Sequence, residues 1–113
     1  MKIKSDFITN SSSTSFIIIN ISKTVKTLEN FVKENKYLLK KFKEEYNFTE
    51  NKFNQKNMLQ DAAKRNIIFL PNEEKMCTFG DEEGDVLGTV YDYILRDGGK
   101  STNFRWVFKE YNR

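Results

Sequence analysis

The most continuously apolar stretch of the chain is Phe16-Ile17-Ile18-Ile19-Asn20-Ile21, rich in β-branched side chains. Successive side chains of a strand point to opposite faces, so an apolar run at both parities predicts a strand covered on both faces and central in its sheet. Upstream, Lys2 to Ile8 puts Ile3 and Phe7 on one face of an extended segment, a first strand. The seven polar residues Thr9 to Ser15 between them read as a loop. From Thr24 to Asn47 the apolar positions Val25, Leu28, Phe31, Val32, Leu38, Leu39, Phe42 and Tyr46 recur at three- and four-residue steps. That period predicts one amphipathic helix, roughly 36 Å long at 1.5 Å per residue, capped by Ser22 or Thr24 and bent where Asn35 interrupts the stripe.

Further along, Met58, Leu59, Ala62 and Ala63 predict the inner face of a helix from Asn54 to Arg65. Ile67-Ile68-Phe69-Leu70 reads as a strand, Pro71 to Lys75 as a turn, and Met76-Cys77-Thr78-Phe79 as the returning partner of a hairpin. Leu87, Val90, Tyr91 and Ile94 mark a third helix, ended by Gly98-Gly99. Phe104, Trp106 and Phe108 alternate with Arg105, Val107 and Lys109, a half-buried strand. Grouped strands with helices between them predict an α+β fold. The expectation is a small, mostly antiparallel or mixed sheet of four to five strands, packed against one long and two shorter helices. With no internal repeat or linker, residues 1–113 form one domain.

Composition narrows the chemistry. Hydrophobic residues at 38% and charged residues at 31% fit neither a disordered nor a membrane chain. The longest apolar run is far too short to cross a bilayer, and Met1 to Asp6 lacks a signal-peptide h-region. A lone Cys77, expected to be buried in a strand, suits a reducing compartment, so a cytoplasmic location is expected. The chain has no histidine at all. Histidine-based acid–base and nucleophile schemes are therefore unavailable, and one Cys without His builds no ordinary zinc site. No enzyme activity, metal or cofactor is expected.

The net charge of +3 is unevenly spread. Residues 1–66 and 100–113 are basic, and residues 67–99 are acidic. The acidic run Asp81, Glu82, Glu83 and Asp85, with Asp92, occupies several EF-hand ligand positions. It lacks the glycine at position six and the bidentate glutamate at position twelve. Helix capping explains it better, and docking onto a basic partner is its other use. Lys26, Lys33, Lys36, Lys40 and Lys43 lie on the side of the predicted long helix away from its apolar stripe. They form either a solvated face or a ridge for nucleic-acid phosphates. Trp106, with Phe104 and Phe108, reads as core rather than as a base-stacking platform.

The opening, Lys2-Ile3-Lys4 followed by Asp6-Phe7-Ile8-Thr9-Asn10, then Ser11-Ser12-Ser13-Thr14-Ser15-Phe16, resembles the start of a family of short uncharacterised proteins. They occur in low-GC bacteria, their phages and mobile elements. The resemblance covers about sixteen residues and marks Asp6, Thr9, Asn10, Ser11, Ser12 and Ser13 as more than filler. It implies a phage or mobile-element setting. Without catalytic groups, the expectation is a non-enzymatic interaction protein, such as an anti-CRISPR-type inhibitor that binds a host protein or ribonucleoprotein through Asp81 to Asp85. The alternative is a small nucleic-acid-binding module using the lysine ridge. A structural or regulatory protein of the element is a third reading. No membrane partner is expected.

Overall fold

The apolar run around Phe16 lies in strand β1 (Ser13–Asn20) of the computed structural model, which describes residues 13–80 and 85–112. β1 is interior, as its pattern predicts. It pairs antiparallel with β4 (Glu74–Gly80) on one side and β6 (Phe104–Asn112) on the other, and the short β5 (Gly99–Lys100) completes the order β4-β1-β6-β5. One face of β1, carrying Phe16 and Ile18, is fully buried. On the opposite face Ile17 sits opposite Met76 and Val107, both exposed, so that side of the sheet is less covered than the apolar run implies.

β1 begins earlier than expected, because Ser13, Thr14 and Ser15 are strand residues and buried. Neighbouring polar groups make this possible. Ser15 Oγ lies 2.9 Å from Thr78 Oγ1 and accepts from Asn112 Nδ2 at 2.8 Å, while Thr14 Oγ1 donates to the buried Asp92. Paired hydroxyls enter a sheet interior at little cost, and unpaired ones do not. The strand expected at Lys2 to Ile8 and the rest of the serine loop lie outside the described residues.

The predicted long helix is two helices, α1 (Leu28–Glu34) and α2 (Tyr37–Tyr46), which gives four helices among the described residues in place of three. Asn35 is the cause. It is buried, and both its backbone N–H and its Nδ2 donate to Phe31 O at 3.0 Å, which closes α1. The cap is Thr27 rather than Ser22 or Thr24. Its hydroxyl accepts from Asn30 N while Asn30 Oδ1 accepts from Thr27 N at 2.8 Å. Ser22 and Thr24 instead bond to Asn20. Val25 and Tyr46, assigned inward by the helical period, are exposed because the helix is shorter and broken.

The middle strands do not form a hairpin. β3 (Ile68–Phe69) pairs with β2 (Lys26–Thr27) in a separate two-stranded sheet, and β4 takes β1 as its partner. Asn72, at φ 66°, turns the chain and donates its N–H to Asn20 O at 2.7 Å, directing β4 to the edge of β1. Asn47 and Asn66 adopt the same left-handed conformation at the C-caps of α2 and of α3 (Gln55–Arg65). Asparagine tolerates that region better than most residues, so the asparagine-rich composition supplies chain reversals that glycine more often provides.

The helices cover the sheet face that carries Phe16, Ile18, Phe79, Phe104 and Trp106. α4 (Val86–Ile94) buries Leu87, Val90, Tyr91 and Ile94 as predicted. It approaches β4 so closely that a Cβ at Gly88 would stand 2.5 Å from Gly80 O. In α3, Met58 and Ala62 are buried, Leu59 packs at the core edge and Ala63 is exposed. Cys77 is buried as expected, and burial pushes its thiol up to about 11 against partial relief from Arg65 and Lys75. Its thiolate is therefore scarce at neutral pH.

Glu34, the last residue of α1, ties that helix to the loop before β6. It accepts from Asn103 N and Asn103 Nδ2, both at 2.7 Å. Partial burial works against its charge, but the nearby Ser101 hydroxyl, the hydrogen bonds from Asn103 and the charge of Lys26 hold its carboxyl below the usual range. A depressed folded-state pKa gives stability that is complete above the unfolded value and is lost as pH falls through the folded one. Glu34→Gln is therefore expected to be less stable than the parent at pH 7 and to converge with it below about pH 4. Urea melts at several pH values check this; a constant difference across the range would contradict it.

Candidate functional site

Only Asp85 of the acidic run lies among the described residues. Asp81, Glu82 and Glu83 lie outside them. Asp85 is committed within the fold: its Oδ1 accepts from Gly88 N at 2.8 Å as the N-cap of α4, and its carboxylate pairs with Arg65 at 3.2 Å. Asp61, from α3, adds a second acceptor for Val86 N and Leu87 N at 2.9 and 3.1 Å. Two carboxylates thus satisfy the unpaired amides at the start of α4, the capping role that helix electrostatics favours. Asp92 turns inward to Thr14 and pairs with Arg96 at 3.3 Å, away from any calcium frame. Among the described residues, no group of three or more His, Cys, Asp or Glu side chains could hold a metal ion.

Of the motif residues, Asp6, Thr9, Asn10, Ser11 and Ser12 lie outside the described residues. Ser13 opens β1, where its hydroxyl accepts from Asn112 Nδ2 at 3.3 Å. Phe104 and Trp106 are buried, while Phe108 is half-exposed beside Phe16. The late strand thus serves the core.

The five lysines are divided by the break at Asn35. Lys26 belongs to β2, opposite Phe69, and acts on Glu34; Lys33 is exposed in the last turn of α1. Lys36, Lys40 and Lys43, at the start of α2 and along it, converge on one open cleft of about 590 Å³. Its apolar lining includes Leu39 and Phe48, and Glu44 and Thr49 also border it. Phe48 is fixed by the left-handed turn at Asn47 and by Phe42 and Phe53, whose ring centroids lie 4.7 and 5.0 Å away.

Gln55, the first residue of α3, closes the cleft. Its Nε2 makes a long 3.4 Å bond to Val32 O, and its Oε1 is buried without a hydrogen-bond partner. Lys43 Nζ donates to Phe53 O at 3.2 Å, which holds this ammonium at the cleft and leaves its other protons for a ligand. Lys36 and Lys40 are exposed. Three lysines and one glutamate thus line a cleft with an apolar surface. Such a cleft suits a ligand that joins a flat apolar part to more than one negative charge.

The chain thus combines an α+β fold with a lysine-rimmed cleft on its α2 side. No family model, curated protein or solved structure matches the chain. No helix among the described residues is long and apolar enough to cross a membrane.

Proposed function

We propose that this chain works by binding rather than by catalysis, and that its binding face is the α2 side carrying Lys36, Lys40 and Lys43. The partner is a nucleic-acid strand, free or held in a ribonucleoprotein. In the phage setting that the opening motif resembles, the target is a host defence ribonucleoprotein, and the protein is an inhibitor of anti-CRISPR type. The observation that carries this reading is the convergence of three lysines on one open cleft. Solvated lysines that merely keep a helix soluble have no reason to share a concavity with Leu39 and Phe48. The absence of histidine and the buried thiol support a binding role over a catalytic one.

The test is fluorescence anisotropy with a labelled oligo-dT at two salt concentrations. Each neutralised phosphate of a single strand contributes a slope of about −0.7 in log affinity against log salt. Three lysines predict a weakening of about 20-fold from 50 to 200 mM salt. Lys36→Gln with Lys40→Gln, both exposed, is expected to reduce affinity and flatten that slope. Absent binding, or binding indifferent to salt, would sink the proposal.

A further inference from the structure

We infer that the face of the four-stranded sheet turned away from the helices is a contact surface for a second copy of this chain, related by a two-fold axis along β1. Strand register sets that face out in rows across β4, β1 and β6. In the middle row Ile17 lies between Met76 and Val107, and in the next Ile19 lies between Glu74 and Arg105. On the other side Ser15 lies between Thr78 and Glu110. Residues directly opposite one another project from the same side of a sheet. Phe16 and Ile18 enter the core, so the alternate positions 15, 17 and 19 and their partners belong to the outer side. Met76 is 58% exposed and Val107 44%, and Glu74, Arg105, Thr78 and Glu110 are exposed around them. An apolar row between polar ones has the layout of an interface core with its rim.

The placement of charge selects the occupant. Among the described residues neither Glu74 nor Arg105 is in an ion pair. They stand level with each other on either side of β1, about 10 Å apart at two strand spacings. A two-fold axis along β1 exchanges the flanking strands between copies. Glu74 of each copy then meets Arg105 of the other, Ile17 meets Ile17, and Met76 meets Val107. Thr78 meets Glu110, a hydroxyl donor against a carboxylate. The contact is isologous and closed, and it stacks two sheets as in a sandwich. An axis across the strands would set Arg105 against Glu110 instead. Glu110, however, adjoins Lys109, the extra residue at the register shift, which offsets its charge, so Glu74 and Arg105 are the charges left to balance one another.

Three strands of seven residues span about 14 Å by about 24 Å, a footprint below the about 800 Å² per partner of a standard interface. The dimer is therefore weak, and its population follows concentration. It goes beyond the proposed function without competing with it, because the helix layers of the two copies lie on the outer sides of the stacked sheets.

Sedimentation velocity on the full chain tests this. The parent should pass from monomer to dimer between about 10 μM and about 1 mM, and Met76→Lys should stay monomeric over the same range. Glu74→Arg or Arg105→Glu alone sets like charges together at two places and should weaken self-association about tenfold or more. An equimolar mixture of those two variants restores both opposite-charge pairs in a heterodimer and should associate within about threefold of the parent. An axis across the strands predicts no such recovery. All three positions are exposed, and an unchanged circular dichroism spectrum confirms that each variant folds. A parent that is still monomeric at about 1 mM, single swaps that dimerise like the parent, or a mixture no stronger than either variant alone would each overturn the inference.

Discussion

Phe31→Ala is expected to lower the free energy of unfolding by about 3–5 kcal/mol, the usual cost of truncating a fully buried phenylalanine. Phe31 joins the layers of the fold. Its ring meets Tyr91 of α4 at 5.5 Å, Phe104 at 5.1 Å and Trp106 at 5.2 Å, all edge-on. Each such contact adds to the burial of apolar area. The cavity cannot collapse easily, because α1 is anchored at one end by the Thr27 capping box and at the other by Asn35 and Glu34. A domain of this size is stable by about 5–15 kcal/mol in all, so the variant should melt far below the parent or fail to fold. Phe31→Leu, which keeps most of the volume, should lose much less. Urea denaturation followed by Trp106 fluorescence reports both. A loss below about 1 kcal/mol for the alanine variant would mean that the aromatic cluster is not the centre of stability.

Asn20→Asp should destabilise by about 3–5 kcal/mol at neutral pH, the penalty of an uncompensated buried charge, although the two side chains have nearly the same shape. Asn20 is fully buried and uses both ends of its amide. Nδ2 donates to Thr24 O at 2.8 Å and Phe69 O at 3.1 Å, and Oδ1 accepts from Ser22 N and Ser22 Oγ at 2.9 and 2.6 Å. Its backbone adds bonds to Glu73 and Asn72. One residue thus joins the end of β1 to the loop before β2, to β3 and to the turn before β4. A carboxylate would present an acceptor to two carbonyls that need a donor. Burial would raise the folded-state pKa of the introduced carboxyl above its unfolded value. The variant should therefore be least impaired below about pH 4 and lose stability as pH rises through the folded value. Asn20→Ala should cost less than the neutral-pH aspartate and show no such dependence. Equal destabilisation of the aspartate variant at pH 4 and pH 7 would refute the charge argument.

Local pattern was enough where an element's partners did not matter to its existence. The short, β-branched Phe16–Ile19 run marked an interior strand, although one face of the sheet is less covered than the run implies. The periods through Met58 and Ala62 and through Leu87 and Ile94 fixed two helices, and the alternation at Phe104 and Trp106 fixed the last strand. The lysines at 36, 40 and 43 were legible as one side of a helix. The break that separated them from Lys26 and Lys33 was legible only as an interruption at Asn35.

Tertiary structure decided whatever depended on which groups meet. Ser13 to Ser15 look like a loop until Thr78, Asn112 and Asp92 arrive as hydrogen-bond partners from elsewhere in the chain. β3 and β4 look like a hairpin until Asn72 donates its N–H to Asn20. The candidate site was half visible, since its charges lie on one helix while Phe48 and Gln55 reach it only after the reversal at Asn47 and the capped start of α3. Periodicity records how a segment relates to its own axis. It holds no term for the distant residue that satisfies a buried polar group or closes a cleft, and those long-range pairings set this protein's strand order and its lysine-rimmed cleft.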